Sequence, residues 1–458
     1  MAHIVFILAP SVASLNSSLK LAKSLRSAGH HINYVGLADS EELVCANEMP
    51  FIKIYEKWFP KGFGDKEDVI DLPIDSSDDK AAQIEVSREQ TFLAAVLNEE
   101  ETEFQQTMSD LKPDLVLYIH ADSLMVVLAL LGHSLGLNAA YLRDMLGRSE
   151  YHDIPPIWTG IIPSASISSM LSTQIAWRKY DFHRWLENLR SQLFSRVNFE
   201  TMIEALAQKC NYSWLRIDKG GLPPYTLELP ELVLCPKDFD FPHIAKPGRH
   251  YIEASIDLDR NEGTFDWGVI DDKLPLIYCA LGTINWFPVD QYLTFYQSVI
   301  DVARLRPDLQ WVLVIGKTIP IQDLREIPLN VVIVNFVPQL QILRRSRLMI
   351  THGGTGTIKE CIYYGVPMVV YPLGWDQHGN AARIVFHGMG ARGDFLNVTA
   401  EKMKALVEKI DGDCHYREQV RSMQEKFHRA EEAQLGMKMI NELLQKQSQT
   451  INAQINES

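Results

Sequence analysis

The first part of the chain alternates short apolar runs with longer segments of helical periodicity. Residues 4–8 are five consecutive apolar residues, which is typical of a buried strand. Leu15, Leu19 and Leu25 then recur on one face of a helix. Further strands are predicted at residues 32–37 and 115–119. Repeated strand–helix units of this kind indicate a parallel sheet that is covered by helices on both faces.

A second strand–helix series follows a stretch rich in proline, glycine and charge at residues 236–263. Its strands are predicted at residues 275–283, 311–315, 331–335, 348–350 and 368–371. The pattern then becomes helical from about residue 399 to residue 445. We therefore predict an α/β fold of two doubly wound, Rossmann-like domains that face each other across a cleft. In such folds ligands bind at the carboxyl ends of the strands.

The breaks in the pattern place the domain boundaries. We expect an N-terminal, acceptor-binding domain at 1–243, a linker at 244–263, a C-terminal domain at 264–430, a helix at 431–447 that can pack back on the N-terminal domain, and a disordered polar tail at 448–458. A helical insertion is expected at about 153–215, where Trp177 and Trp185 fall in long helical stretches. This insertion either packs a core of its own or forms an apolar wall around an acceptor.

The composition limits the classes of partner. The chain has 458 residues with 46% apolar and 22% charged side chains, which is typical of a soluble globular protein. Its formal net charge of −14 leaves no basic excess to neutralise phosphates, so a nucleic-acid partner is not expected. A small basic cluster, Arg344, Arg345 and Arg347, is either a solvated helix end or a contact with an anionic membrane.

The cysteines and the N-terminus indicate the compartment. The six cysteines are scattered without a CxxC pair, which favours reduced thiols and disfavours a zinc site. The N-terminal residues lack the basic start of a signal peptide, and the apolar run at 124–131 is too short to span a bilayer. We expect a cytoplasmic protein, with peripheral membrane contact left open.

The positions of the glycines decide which domain binds a nucleotide. The turn after the first strand, residues 11–14, contains no glycine, which argues against an NAD or FAD fingerprint. The strand at 348–350 instead runs into the loop Thr-His-Gly-Gly-Thr-Gly-Thr and then into a helix. Backbone N–H groups and the positive end of a helix dipole at such a loop suit a phosphate. The sequence thus assigns nucleotide binding to the C-terminal domain.

Two residues of this loop region have a purely structural alternative. Thr357 and Glu360 match a capping box, with Thr357 as N-cap and Glu360 at the third helical position. His352, at the carboxyl end of a strand, could equally be a structural histidine with its hydrogen bonds satisfied inside the protein. Gly365 is expected to cap the C-terminus of the same helix.

The motifs between Phe336 and Gln377 resemble those of a known family. An aromatic-x-Pro-Gln string at 336–339 is followed by the loop at 351–357, by Glu360, by Gly-Val-Pro at 365–367 and by Asp-Gln at 376–377. In this order and spacing the chain resembles the family 1 nucleotide-sugar-dependent glycosyltransferases, which include the UDP-glycosyltransferases and have the GT-B fold. Weaker similarity extends over the whole chain and includes the Leu281-Gly282-Thr283 turn.

The resemblance implies a role for each matched residue in the donor site. Phe336 would stack on the base, Val337 would offer its backbone to the base edge, and Gln339 would lie near base and ribose. His352 and Thr357 would bind the diphosphate, and the donor site would also include the glycines Gly282, Gly353, Gly354 and Gly356 and Thr283. Glu360 would accept from the ribose hydroxyls, and Asp376 and Gln377 would hold the transferred sugar. These pairings are chemically consistent because donors face phosphate and acceptors face hydroxyls.

The catalytic base departs from the family pattern. The resemblance implies a histidine in the loop after the first strand, but Ser14 stands at that position. The assisting aspartate would fall at Ile119 by one count and at Asp122 by another. The open explanations are that His120 or Asp122 is the base, that the acceptor needs little base help, or that catalysis has been lost.

These features together lead to a specific functional hypothesis. We expect an inverting transferase that moves a hexose, glucose from UDP-glucose, to a hydroxyl of a lipophilic small molecule or lipid. No cofactor and no metal are expected, because the two Asp-x-Asp strings at 238–240 and 257–259 lie away from the phosphate loop. The preference for a UDP-sugar rests on Glu360, to which a deoxyribose offers one hydroxyl fewer. The alternatives are a sugar-nucleotide epimerase of the same fold and a catalytically silent nucleotide-sugar-binding partner. The sequence identifies neither the acceptor nor the oligomeric state.

Overall fold

Two parallel β-sheets covered by helices form the protein, as seen in a computed structural model. The structure describes residues 1–8, 10–62, 90–119, 123–146, 154–193, 199–213, 215–217, 225–243, 247–282, 286–317 and 319–457. The prediction of an α/β fold with two doubly wound sheets is confirmed. The observed strand ends differ from the predicted ones by a few residues at most.

The N-terminal sheet has seven strands in the order β3-β2-β1-β4-β5-β8-β9. Its strands are β1 (His3–Leu8), β2 (His31–Gly36), β3 (Phe51–Lys53), β4 (Leu115–Ile119), β5 (Ala139–Arg143), β8 (Glu231–Val233) and β9 (Arg249–Tyr251), all paired in parallel. A separate two-stranded hairpin consists of β6 (Arg216–Ile217) and β7 (Tyr225–Thr226). From β1 the chain winds outwards to β2 and β3, and it later returns to wind the other way from β4. The crevice between the ends of β1 and β4 is therefore the switch point of this sheet.

The C-terminal sheet has six strands in the order β12-β11-β10-β13-β14-β15. Its strands are β10 (Leu276–Ala280), β11 (Gln310–Val314), β12 (Val331–Val334), β13 (Ser346–Thr351), β14 (Met368–Val370) and β15 (Gly390–Arg392), all paired in parallel. Here the winding direction reverses between β10 and β13. The central strands are apolar and buried on both faces, as expected for a parallel sheet between two helical layers.

The helices cover both sheets. They are α1 (Val12–Ser27), α2 (Glu41–Ala46), α3 (Glu103–Leu111), α4 (Ser123–Ser134), α5 (Ile167–Leu193), α6 (Phe199–Lys209), α7 (Val289–Leu305), α8 (Gln339–Leu343), α9 (Thr355–Tyr364), α10 (Gln377–Phe386), α11 (Ala400–Gly412), α12 (Cys414–Ala433) and α13 (Leu435–Glu457). No helix in the described ranges is both long enough and apolar enough to cross a membrane.

The region predicted as a helical insertion contains two helices with different surroundings. Helix α6 contributes Ile203 and Leu206 to the main N-terminal core, so it has no separate core of its own. Helix α5 is held by Trp177, whose ring lies edge-on to Trp158 at 5.5 Å and whose Nε1–H donates to the carbonyl of Ile154. Much of the remaining apolar surface of α5 is exposed to solvent.

The C-terminal helix returns to the N-terminal domain. Ile440 and Leu443 of α13 are buried in the same cluster as Leu15 and Leu19 of α1. Helix α13 extends as far as Glu457, through the segment from Ser448 for which a disordered tail was predicted. Once the packed part of a helix has formed, each further residue adds a backbone hydrogen bond at little extra cost, so a polar segment can extend it.

Buried polar contacts join the two domains. Arg383 of α10 donates to the Asp240 carboxylate at 2.6 and 2.8 Å, and both side chains are almost fully buried. Lys359 of α9 donates from Nζ to the carbonyls of Leu234 at 2.9 Å and Ala254 at 3.0 Å. These contacts hold the two domains against each other.

Candidate functional site

The candidate site lies at the switch point of the C-terminal sheet. Gly282 follows β10 and His352 follows β13, and these two strands are neighbours at the centre of the sheet. The carboxyl ends of the parallel strands therefore bring the two residues together at the crevice where doubly wound folds bind ligands.

The imidazole of His352 is held between two glycines. A Cβ atom at Gly282 would lie 2.8 Å from Nε2 of His352, and a Cβ atom at Gly354 would lie 2.7 Å from it. Gly282 also has a φ of +86°, which disfavours any other residue. Only glycine on both sides leaves room for the ring, which explains why these glycines accompany the histidine.

Burial sets the protonation state of His352. Loss of hydration lowers the pKa of His352 to about 4, and the neighbouring carbonyl of Ala280 offsets only part of this shift. Nδ1 is buried and makes no hydrogen bond of ordinary geometry within the described ranges. At neutral pH the ring is therefore uncharged and carries a single N–H donor.

The N-terminus of α9 is open to an anion. Gly354 is the N-cap residue of α9, and no side chain caps this end of the helix. The N–H groups of the first helical turn have no partner within a helix, and the helix dipole makes this end positive. The loop predicted to bind a phosphate thus has the expected geometry. Gly353 has a φ of +92°, and a Cβ atom there would lie 2.7 Å from Val370.

The capping-box interpretation of Thr357 and Glu360 is wrong. The helix begins at Thr355, so Thr357 is its third residue and not its N-cap. Oγ1 of Thr357 instead accepts a hydrogen bond from Nε2 of Gln339 at 3.3 Å. Gly365 does cap the C-terminus of the helix, in the left-handed conformation that was expected.

Asp376 is oriented by two side-chain donors. Its Oδ2 accepts from Oγ1 of Thr355 at 2.6 Å and from Nδ2 of Asn380 at 2.8 Å. Burial raises the pKa of Asp376, and these two hydrogen bonds counteract that effect. Gln377 uses its Oε1 to accept from the backbone N–H groups of Leu373 at 2.8 Å and Gly374 at 3.1 Å. Both side chains named by the Asp-Gln motif are therefore held in fixed orientations.

Glu360 belongs to a buried polar network. Nη1 of Arg260 donates to its Oε1, and Nε2 of Gln339 donates to its Oε2 at 2.6 Å. Arg260 also pairs with Glu262 at 2.6 Å, and Glu262 accepts from the N–H of Leu340 at the start of α8. A carboxylate oxygen can accept two hydrogen bonds, so Glu360 retains capacity for a ribose hydroxyl.

Arg260 and Glu262 were missed by the sequence reasoning. They fall in the segment predicted as a linker, where charged residues are usually solvated. The only signal was the charged run at residues 257–262, which does not by itself distinguish a buried network from a hydrophilic linker.

Phe336 and Val337, the residues predicted to contact the base, differ in their exposure to solvent. Phe336 is 53% exposed, and the exposed face of its ring leaves room for a stacked base. A Cβ atom at Gly263 would lie 3.7 Å from this ring, so the linker approaches it closely. Val337 is buried and anchors the segment in the core of the domain.

Ser14 and Asp144 form a pair on the N-terminal side of the cleft. Oγ of Ser14, in the first turn of α1, donates to Oδ2 of Asp144 at 2.9 Å. Asp144 follows β5 directly, and its charge contributes to the raised pKa of Asp376 across the cleft. The sequence reasoning missed Asp144 because the family pattern directed attention to the ends of the first and fourth strands. His120, Asp122 and Thr283 lie outside the described residues.

The Asp-x-Asp strings and the basic cluster have structural partners. Asp240 binds Arg383 as described above, and Asp257 pairs with Lys23 at 2.5 Å. Arg345 pairs with Asp272 at 3.0 Å and also lies over the ring of Trp267. Arg347 donates to the carboxylate of Asp411. Two of the three arginines in the basic cluster thus bind carboxylates of this chain. These pairs favour a helix end over a contact with an anionic membrane.

An apolar groove of about 520 Å³ lies between α5 and the segment before it. Its wall includes Trp158, Ile161, Ile175 and Tyr180. The carbonyl of Ile157, which directly precedes Trp158, accepts a hydrogen bond from the N–H of Gly379 at 2.7 Å. Gly379 lies only two residues beyond Gln377. The groove is therefore anchored beside the helix that begins with the Asp-Gln motif.

Comparisons with known proteins agree with the fold and the motifs. Residues 308–434 match the family model of the erythromycin biosynthesis protein CIII-like C-terminal domain. The chain is 30% identical over 241 residues to NDP-glycosyltransferase YjiC of Bacillus subtilis (strain 168), covering 50% of this chain and 59% of that protein. It is 23% identical over 420 residues to the zeaxanthin glucosyltransferase of Pantoea ananas, covering 90% of each.

Solved structures share the architecture. The glycotransferase of kitacinnamycin superposes with a TM-score of 0.65 and 21% identity, covering 96% of this chain and 98% of that one. The calicheamicin glycosyltransferase CalG4 superposes with a TM-score of 0.62 and 19% identity, covering 94% and 95%. At these identities the likeness concerns the fold.

Proposed function

We propose that this chain transfers a hexose from a nucleotide-diphosphate donor to an acceptor hydroxyl. The proposal proceeds from its membership of the family 1 nucleotide-sugar-dependent glycosyltransferases with the GT-B fold. The observation that carries the proposal is the arrangement at the switch point, where His352 lies between Gly282 and Gly354 beside the uncapped start of α9. This arrangement offers neutral and backbone donors to a diphosphate and requires no cationic side chain.

In this proposal other side chains supply the remaining donor contacts. Phe336 offers an exposed ring to the base, and Glu360 offers carboxylate oxygens to the ribose. Asp376 and Gln377 offer fixed polar groups to the sugar. Base, ribose, diphosphate and sugar would thus each meet a group of suitable chemistry.

The reaction that fits this arrangement is a single displacement with inversion. The departing diphosphate gains negative charge, which the helix N-terminus and the N–H of His352 would stabilise. The acceptor would enter from the N-terminal domain, on the side of the sugar opposite the diphosphate. Metal independence is part of the proposal, and it is supported by the engagement of Asp240 with Arg383 and of Asp257 with Lys23.

UDP-glucose is the donor that we propose. In this proposal the Glu360 carboxylate accepts a hydrogen bond from the ribose 2′-hydroxyl, which a deoxyribose lacks. The named relatives include a zeaxanthin glucosyltransferase, which supports glucose as the transferred sugar. A dTDP-sugar is the competing donor, and one of the similar solved structures is the glycosyltransferase VinC in complex with dTDP.

A lipophilic acceptor is supported by the apolar groove beside α5. Its aromatic and aliphatic wall would bury the body of such a molecule, and its position next to the start of α10 would bring a hydroxyl towards the sugar. Zeaxanthin, which is named for the relative from Pantoea ananas, is an example of a lipophilic acceptor class.

A thermal-shift screen of nucleotide-sugars tests the proposal. A ligand present at about 100 times its dissociation constant should stabilise the protein by roughly 2.7 kcal/mol. We expect a clear shift with UDP-glucose and a smaller one with dTDP-glucose. An absence of any shift with both donors would refute the donor site. Binding without UDP release in the presence of a panel of apolar alcohols and phenols would instead favour a catalytically silent binding protein.

A further inference from the structure

We propose that the Asp144 carboxylate is the general base of the transfer reaction and that Ser14 positions it. This inference rests on the proposed function and deepens it, because it names the group that removes the acceptor proton. It also accounts for the serine that stands where the family pattern has a histidine.

The sheet topology brings the pair to the correct edge. Ser14 follows β1 and Asp144 follows β5, and β4 lies between these two strands. All three strands are parallel, so their carboxyl ends share the edge that faces the cleft. The hydrogen bond of 2.9 Å from Oγ of Ser14 to Oδ2 of Asp144 bridges the switch point of the N-terminal sheet.

The segment that carries Asp144 packs against the C-terminal domain. Leu146, two residues after Asp144, is buried in the same hydrophobic cluster as Val370 and Ala381 of that domain. The charge of Asp144 also contributes to the raised pKa of Asp376, which is oriented by Thr355 and Asn380. Its charge also acts on the buried ammonium of Lys359, which offsets some of the repulsion between the two carboxylates. A sugar bound by Asp376 would therefore have Asp144 on its N-terminal side, from which the acceptor would enter.

The chemical roles of the two side chains follow from their hydrogen bond. The hydroxyl of Ser14 donates its proton to the Asp144 carboxylate, and a neutral hydroxyl is too weak a base to take the acceptor proton by itself. A carboxylate, in contrast, can take that proton directly.

The step balances without a further reactant. The acceptor oxygen forms a bond to the anomeric carbon while the bond from that carbon to the diphosphate oxygen breaks. The acceptor proton passes to the Asp144 carboxylate, and the electron pair of the broken bond leaves on the diphosphate. Release of UDP and of the proton to solvent restores the enzyme.

The experiment compares acceptors of graded acidity in wild-type protein and in Asp144→Asn. The asparagine keeps the size of the side chain and an oxygen that can accept from Ser14, so the fold should be retained, which a melting curve checks. We expect kcat to fall about 100-fold or more with a weakly acidic aliphatic alcohol, in line with the usual contribution of a general base. The loss should shrink to less than about 10-fold with an acidic nitrophenol, because an ionised acceptor needs no base. The dissociation constant for UDP-glucose should stay within about twofold, since the diphosphate site lies in the other domain.

A matched control uses another carboxylate of the same sheet. Asp114 accepts from the N–H of His3 at the opposite, amino end of the strands. Asp114→Asn should leave kcat unchanged with every acceptor. Ser14→Ala should lower kcat by about 10-fold, and Ser14→Thr should restore most of it, since the conservative variant keeps the hydroxyl.

Three outcomes would overturn the inference. The first is an Asp144→Asn variant that keeps a third or more of wild-type kcat with the least acidic alcohol. The second is a loss of equal size with all acceptors, which would indicate a structural role. The third is an acidity-dependent loss in Asp122→Asn or His120→Ala and not in Asp144→Asn, which would transfer the role to that residue. If wild-type protein neither binds UDP-glucose nor releases UDP, the proposed function fails instead.

Discussion

The contact between Gly354 and His352 allows a sharp test of the donor site. In Gly354→Ala the new Cβ would lie 2.7 Å from Nε2 of His352, whereas ordinary contact begins at 3.4 Å. The backbone of Gly354, with φ −62° and ψ 140°, is accessible to alanine, so the main effect is steric. The imidazole must therefore retreat by about 0.7 Å from the crevice.

The size of the effect follows from the hydrogen bond that this movement disrupts. A hydrogen bond to a charged group contributes about 1.5–3 kcal/mol, which corresponds to a change of roughly 10- to 150-fold in the dissociation constant. We expect Gly354→Ala to weaken UDP-glucose binding in isothermal titration calorimetry by an amount in this range.

Gly412→Ala is the matched control for this prediction. Gly412 is the last residue of α11, outside the loop at 351–357, and a Cβ atom there would have nothing within 4 Å. Alanine favours a helix over glycine by about 0.5–1 kcal/mol, so the control should be slightly stabilised and should bind donor within about twofold of wild type. Equal binding by Gly354→Ala and Gly412→Ala would refute the assignment of His352 to the diphosphate.

Three further predictions concern the groups around the site. Arg260→Met should lower the free energy of unfolding, measured in urea, by about 3–5 kcal/mol, because it leaves Glu360 and Glu262 buried without their cation. A change below about 1 kcal/mol would show that the fold does not depend on this network. Thr355→Val removes the hydrogen bond of 2.6 Å to Asp376. It should weaken binding of UDP-glucose by about 10-fold and leave the binding of UDP unchanged. An equal loss of affinity for both ligands would contradict the assignment of Asp376 to the sugar. Burial favours the neutral form of Glu231, but Arg143 and Arg249 outweigh it and hold the pKa of Glu231 at about 2. Because the folded-state pKa is depressed, the ion pairs of Glu231 stabilise the fold above the ordinary pKa of 4.5, and this stability is lost as the pH falls towards 2. The urea midpoint of Glu231→Gln should therefore vary less over this pH interval than the midpoint of wild type.

The sequence was sufficient to predict the fold because the signals for it are local. Each central strand is a short apolar run, and a strand buried on both faces needs little else to be recognised. The loop from His352 to Gly356 was recognisable for the same reason, since its glycines and the adjacent helix start lie within a few residues of one another.

The features that the sequence did not reveal depend on contacts between distant residues. Ser14 and Asp144 are 130 positions apart, and Arg260 and Glu360 are 100 apart. Neither pair has a spacing that indicates contact, because the sheet topology alone brings its members together. The capping box was a false local match for a related reason: Thr355 turns towards Asp376 and Asn380, and the helix begins there.

The return of α13 to the N-terminal domain has a consequence for synthesis of the chain. Ile440 and Leu443 complete a core whose other members include Ile4 and Leu19, so the N-terminal domain lacks part of its interior until α13 has left the ribosome. The C-terminal domain needs no such late segment, since its sheet and helices α7 to α12 are contiguous in the chain. Chains that stop before α13 should therefore carry a finished second domain and an unfinished first one, which makes the N-terminal domain the part that depends on protection during translation.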